Sequence, residues 1–208
     1  MRANEFWAGS ATVVSSAIIR RSGRQVGGNA WRFGQPVILA VDVHYDNSHA
    51  VAAGVAFNRW TDPVPCATYL SFIENVSSYV PGQFYKRELP CILQLLAEHD
   101  LNPEYILVDG YVYLDGCSKP GLGSYLYDAL NRKTPVIGVA KKPFDSISDE
   151  YRLYRGASRR PLYITCVGEA LPRCRQMVAS MHGSHRYPDL LRQVDQISRA
   201  RRKAAFEP

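Results

Sequence analysis

Asp42 stands inside the apolar run Val37-Ile38-Leu39-Ala40-Val41-Asp42-Val43, and Asp109 closes the run Tyr105-Ile106-Leu107-Val108-Asp109-Gly110. Both occupy positions where another aliphatic side chain is expected. An unpaired buried carboxylate costs on the order of several kcal/mol, so each must be paired, exposed at an edge, or bound to a cation. Asp109, at a strand end, equally suits a turn or helix cap. Asp46 has a turn role of its own with Asn47 and Ser48. Glu88 lies near the start of a helical pattern, where a carboxylate favours the positive helix end. The alternative is that Asp42, Glu88 and Asp109 converge. Such a set binds a hard divalent cation, Mg2+ or Mn2+, and leaves positions for water and phosphate oxygens, which suits phosphodiester hydrolysis.

The elements that must carry these acids follow from apolar periodicity and punctuation. Val37 to Val43 and Ala50 to Phe57 read as two strands of a hairpin, and Ala67 to Ile73 as a third strand. From Phe84 to His99, Leu89, Ile92, Leu93, Leu95 and Leu96 recur at helical spacing. Tyr105 to Gly110 is a strand, Gly121 to Leu130 a helix, and Pro135 to Ala140 another strand. Pro161 to Val167 then leads into a helix from Leu171 to Met181, and a last helix runs from Pro188 towards Lys203. A three-strand antiparallel meander followed by parallel strands, with helices on both faces, is an α/β mixed sheet of the ribonuclease H-like arrangement.

At 208 residues the chain is expected to form a single domain, 1–208, with an N-terminal helix and loop over 1–35 and a core over 36–200. Hydrophobic residues make up 46% and charged ones 21%, which excludes a disordered linker. The net charge is +6, yet residues 1–140 carry −1 and 141–208 carry +7. A basic last third, with Arg152, Arg155, Arg159 and Arg160 in one cluster and Arg199, Arg201, Arg202 and Lys203 in another, suits a polyanion or a solvated face. Five cysteines without a C-x-x-C pair give neither a disulfide framework nor a zinc ribbon. The apolar stretch from Ala11 to Ile19 is too short for a bilayer, so a cytoplasmic protein without membrane contact is expected. No G-x-G-x-x-G follows the first strand and no phosphate-binding G-x-x-x-x-G-K-[ST] occurs, which removes the usual signals of a nucleotide-cofactor enzyme.

Four ordered segments together resemble the endonuclease V family: Val41-Asp42-Val43; Tyr79-Val80-Pro81-Gly82 with Phe84, Arg87-Glu88 and Pro90; Leu107-Val108-Asp109-Gly110; and Pro135 through Lys142. Pro161-Leu162-Tyr163-Ile164 and the Pro188-to-Ala200 helix fit the C-terminal part of that family. The resemblance covers about residues 36–200. It implies a ribonuclease H-like fold and Mg2+-dependent cleavage, with Mn2+ able to substitute, one nucleotide beyond a deaminated base in inosine-containing DNA or RNA, by a monomer. By motif position Asp42 and Asp109 would ligate the metal, with Glu88 completing the acidic site. Lys141 would sit near the scissile phosphate and offset developing negative charge. Tyr79 would be the wedge beside the lesion, its ring replacing lost stacking. Pro81, Gly82, Gly110, Asp115 and Gly138 would join it in binding substrate.

Two departures bear on this. The family pattern is Asp-Gly-His-Gly followed by His-Pro-Arg, whereas Tyr111 and Asp115 stand in the histidine places here. The family's Gly-His-Arg is replaced by Gly168-Glu169-Ala170. Both changes supply oxygen donors, so Glu169 is expected as a fourth metal carboxylate and Asp115 as a holder of water at the site. A ribonuclease H-like nuclease with another structured DNA or RNA substrate, and a non-catalytic nucleic-acid-binding paralogue, are the competing readings.

Overall fold

The computed structural model describes residues 37–46, 48–74, 76, 84–145 and 147–206, the last six as backbone. The expected N-terminal helix, Tyr79, Pro81 and Gly82 lie outside the described residues. The elements run β1 (Ile38–Asp46), β2 (His49–Phe57), β3 (Ala67–Ile73), α1 (Tyr85–Glu98), β4 (Tyr105–Val108), α2 (Leu122–Ala129), β5 (Val136–Ala140), a 3-10 turn (Asp149–Tyr151), β6 (Arg152–Leu153), β7 (Leu162–Val167), α3 (Leu171–Ser180) and α4 (Asp189–Phe206).

The seven strands form one sheet in the order β3-β2-β1-β4-β5-β7-β6. The last pair of the β1–β2 hairpin is Asp46↔His49. β1, β4 and β5 are parallel; β1 leads to β4 through β2, β3 and α1, and β4 leads to β5 through α2. β7 pairs antiparallel with β5, and β6 antiparallel with β7. The reason is the connection: among the described residues of 141–161 there are a 3-10 turn and a two-residue strand but no crossover helix, so the chain turns back along β5.

Side chains alternate across the pleat of β1. Leu39, Val41 and Val43 join Ile92, Leu95 and Leu96 of α1 and Leu122 and Leu126 of α2 on one face. Ile38 and Ala40 join Cys174 and Val178 of α3 and Leu190, Leu191 and Val194 of α4 on the other. Asp42 belongs to the second set by parity, so its carboxylate is directed towards α4. Burying Leu190, Leu191 and Val194 contributes roughly 1.5–3 kcal/mol each. That packing fixes α4 across β1 and β2, and with it whatever α4 presents to Asp42.

Candidate metal centre

The β1–β4 register ends at Val41↔Val108, so Asp42 and Asp109, one residue further on each parallel strand, come out side by side. Lys141 follows the last residue of β5, the next strand over. Its Nζ lies 2.6 Å from Asp109 Oδ2. α4 contributes Asp195, whose Oδ1 is 3.9 Å from the same ammonium and 2.9 Å from Nη2 of Arg199. One oxygen from each of Asp42, Asp109 and Asp195 lies within 4.8 Å of the other two. Among the described residues this is the group of acids, histidines or cysteines close enough to share a metal ion.

The cluster crowds negative charge together. Burial raises the Asp42 pKa, the Ser198 hydroxyl that donates to its Oδ2 opposes that rise, and the charges of Asp109 and Asp195 add to it. Glu88, in the first turn of α1, is 4% exposed, and among the described residues its Oε2 has no hydrogen-bond partner. Burial first, then the charges of Asp42 and Asp109, push its pKa well above the carboxylate range. Three acids, Asp42, Asp109 and Asp195, thus gather beside the ammonium of Lys141, and Glu88 feels the charges of the first two. An all-oxygen donor set with an excess of negative charge fits a hard divalent ion such as Mg2+ or Mn2+. Asp42, Asp109 and Asp195 have the geometry to hold it, with Glu88 set behind them.

Asp195 was not among the acids singled out from the sequence. Its signal lies in helical spacing: it stands four residues after buried Leu191 and three before buried Ser198, on the stripe that packs against the sheet. An acid on such a stripe requires a partner, and its partners are Arg199, one turn further along α4, and Lys141, just past β5.

Glu169 corrects the expectation of a fourth carboxylate. Because β7 is antiparallel to β5, with Val167 opposite Val136, Glu169 emerges where β4 and β5 begin, at the far end of the sheet from Asp109. There Oε2 accepts a 2.9 Å hydrogen bond from the Tyr105 hydroxyl, Oε1 accepts from the Ala170 amide at 2.9 Å, and Arg173 lies 3.4 Å away. It ties β7 and α3 to the start of β4.

Asp115 is likewise drawn into its own loop. Its Oδ1 accepts from the amides of Cys117, Ser118 and Lys119 at 3.0, 2.8 and 2.9 Å, and Oδ2 from the Ser118 hydroxyl. These bonds hold its pKa far below the usual carboxylate range. It organises the 115–119 turn and is not brought to the acid cluster. Tyr111, in the other histidine place, donates from its hydroxyl to the Lys142 carbonyl at 2.7 Å and accepts from the Phe144 amide at 3.0 Å. It fixes the segment that follows Lys141. Gly110 has open space around its α-carbon, next to Asp109. At Gly138 a Cβ would stand 2.6 Å from the Gly110 carbonyl, 2.8 Å from the Val112 amide and 2.9 Å from Thr165 Oγ1. The chain leaving Asp109 therefore crosses β5 where only glycine leaves room.

The family model described as Endonuclease V matches residues 29–185. An Endonuclease V of Streptomyces coelicolor is 31% identical over 125 residues, which cover 58% of this chain and 51% of that protein. In such matches the chain spans about half the length of the curated relative. The crystal structure of Endonuclease V from Streptomyces avermitilis superimposes with a TM-score of 0.68 at 27% identity, covering 84% of each chain. The fold is shared as well with Ciona intestinalis Endonuclease V, crystallised with a 24mer DNA containing an inosine followed by a ribo-adenosine; the TM-score is 0.68 at 18% identity, over 81% of this chain and 87% of that one.

Proposed function

The chain belongs to the endonuclease V family, and on that premise we propose that it is a Mg2+-dependent endonuclease, with Mn2+ able to substitute, that cleaves a phosphodiester near a deaminated base in inosine-containing DNA or RNA. The observation that carries this reading is the meeting of Asp42, Asp109 and Asp195 within 4.8 Å, with Lys141 on Asp109. The relative crystallised with inosine-containing DNA supports the substrate class.

A divalent ion held by these acids supplies Lewis acidity towards a phosphoryl oxygen and an ordered water. The chain's own groups do the rest. Ser198 orients Asp42 by donating to it. Lys141 keeps a positive charge at the edge of the carboxylates, where a non-bridging phosphate oxygen would lie, and opposes the charge that develops during in-line displacement. Glu88, buried in the first turn of α1, is proposed to complete the acidic site. Tyr79, Pro81, Gly82, Gly110 and Gly138 are proposed for the base, and the basic last third for the phosphate backbone.

Among the described residues no helix is long and apolar enough to cross a membrane. The five cysteines are free thiols, which suits the reducing cytoplasm, and a monomer is proposed. The test is cleavage of matched inosine, deoxyinosine, uracil and unmodified strands in Mg2+ and Mn2+, with Asp109→Ala as control. Cleavage confined to inosine-containing strands supports the proposal. Equal cleavage of all strands assigns a different substrate, and no loss on Asp109→Ala removes the site assignment.

A further inference from the structure

The α3–α4 connection is braced from inside by one arginine. Arg155 is 7% exposed, and its guanidinium is directed at main-chain carbonyls. Nη2 donates to Met181 and Gly183, Nη1 donates to His185 at 3.0 Å and Arg186 at 3.4 Å, and Nε donates to Ala179 at 3.4 Å. A buried guanidinium engaged with carbonyls alone pins their relative positions, because its donors are fixed in one plane.

The connection so pinned ends on Lys141. Nη1 of Arg186 donates to the Lys141 carbonyl at 3.3 Å, and the Tyr187 ring centroid lies 4.3 Å from Lys141 Nζ. Consecutive residues of one loop thus hold both ends of the lysine. The other partners of this ammonium are carboxylates, Asp109 at 2.6 Å and Asp195 at 3.9 Å. Those carboxylates are the groups that would hold a divalent ion, and a bound ion repels the ammonium that they attract in its absence. A tyrosine face attracts a cation through its quadrupole and carries no charge for a metal to neutralise.

We propose that Tyr187, on the loop braced by Arg155, is a positioning residue for Lys141: its ring retains the ammonium at the edge of the acid cluster when the carboxylates are engaged by a metal ion. The proposal rests on the nuclease reading for its consequence in catalysis, but the contact can be tested without any cleavage.

The first measurement is NMR of protein labelled with 13C at the lysine ε position, the Lys141 signal being assigned by its loss in Lys141→Arg. Ring current should move that signal upfield in the wild type and in Tyr187→Phe, both metal-free and with saturating Mg2+. In Tyr187→Leu it should move to the position of a solvated lysine. An unshifted signal in the wild type with Mg2+, or the same position in Tyr187→Leu, overturns the proposal. The second measurement is single-turnover cleavage of an inosine-containing strand. Tyr187→Leu should slow the step about tenfold without weakening strand binding, Tyr187→Phe should restore it, and Tyr187→Leu should add nothing in a Lys141→Met background. Further slowing in that background means that Tyr187 acts elsewhere. If the wild type cleaves no strand, the nuclease reading fails and the NMR result alone decides the contact.

Discussion

The hydroxyl of Ser198 on α4 donates to Asp42 on β1, joining positions 156 residues apart, and the same oxygen lies 2.9 Å from the Asp195 carbonyl. Ser198 is fully buried. One side chain therefore couples the strand that carries the first acid to the helix that carries the third. Ser198→Ala leaves Asp42 without that donor, and urea unfolding should show a loss of about 1–3 kcal/mol. Cleavage should fall as well, since the orientation of Asp42 is no longer set. Unchanged stability and rate would falsify a positioning role for Ser198.

Divalent ions should stabilise the protein through Asp195 and not through Glu169. Thermal unfolding with Mg2+ or Mn2+ at about 100 times the dissociation constant should show a gain of about 2.7 kcal/mol. Asp195→Asn should abolish most of that gain, whereas Glu169→Ala should keep it. A gain that survives Asp195→Asn but is lost in Glu169→Ala would invert the assignment.

Glu88 should destabilise the metal-free protein. Its carboxyl is buried, one oxygen has no hydrogen-bond partner among the described residues, and it faces the charges of Asp42 and Asp109. Glu88→Gln removes that charge at nearly constant shape, and metal-free stability at pH 8 should rise by about 1–3 kcal/mol. Loss of stability in this variant would mean that the carboxylate has a favourable partner.

Glu169 should contribute to stability at neutral pH and not in acid. Its pKa is lowered by the Ala170 amide, then the Tyr105 hydroxyl, then Arg173. A depressed carboxylate pKa gives stabilisation that is complete above the unfolded value, about 4.3, and is lost as pH falls through the lower folded value. The melting difference between wild type and Glu169→Ala should therefore be present at pH 7 and shrink towards pH 3. A difference that grows on acidification would show that the charge of Glu169 is unfavourable.

Gly138→Ala should be among the most damaging small substitutions. The added methyl meets the main chain at Gly110 and Val112, which cannot rotate away. Overpacking of this kind costs about 1–3 kcal/mol, and the displaced segment is the one that leaves Asp109. Both the denaturation midpoint and cleavage should drop; a midpoint equal to that of the wild type would show that the crossing can shift.

Asp42 and Asp109 were legible because a carboxylate in an aliphatic strand conflicts with burial, and that conflict is local. Glu88 was singled out by its place in an ordered set of motifs, and the structure buries it in the first turn of α1. Glu169 was misplaced because the direction of β7 is set by the connection before it, not by its own residues. Asp115 was misplaced because amides of its own turn satisfy it, a competition that residue type alone does not reveal.

Period-2 and helical spacing thus determined the strands, the helices and the acids that do not belong in an apolar core, since these follow from local burial and backbone geometry. The meeting of Asp42 and Asp109 with Asp195, the coupling through Ser198 and the placement of Lys141 against Tyr187 were decided only by tertiary structure. Each depends on α4 packing back onto β1 and β2 and on its preceding loop reaching Lys141, and no short-range pattern encodes which distant side chains such packing brings within a few ångströms.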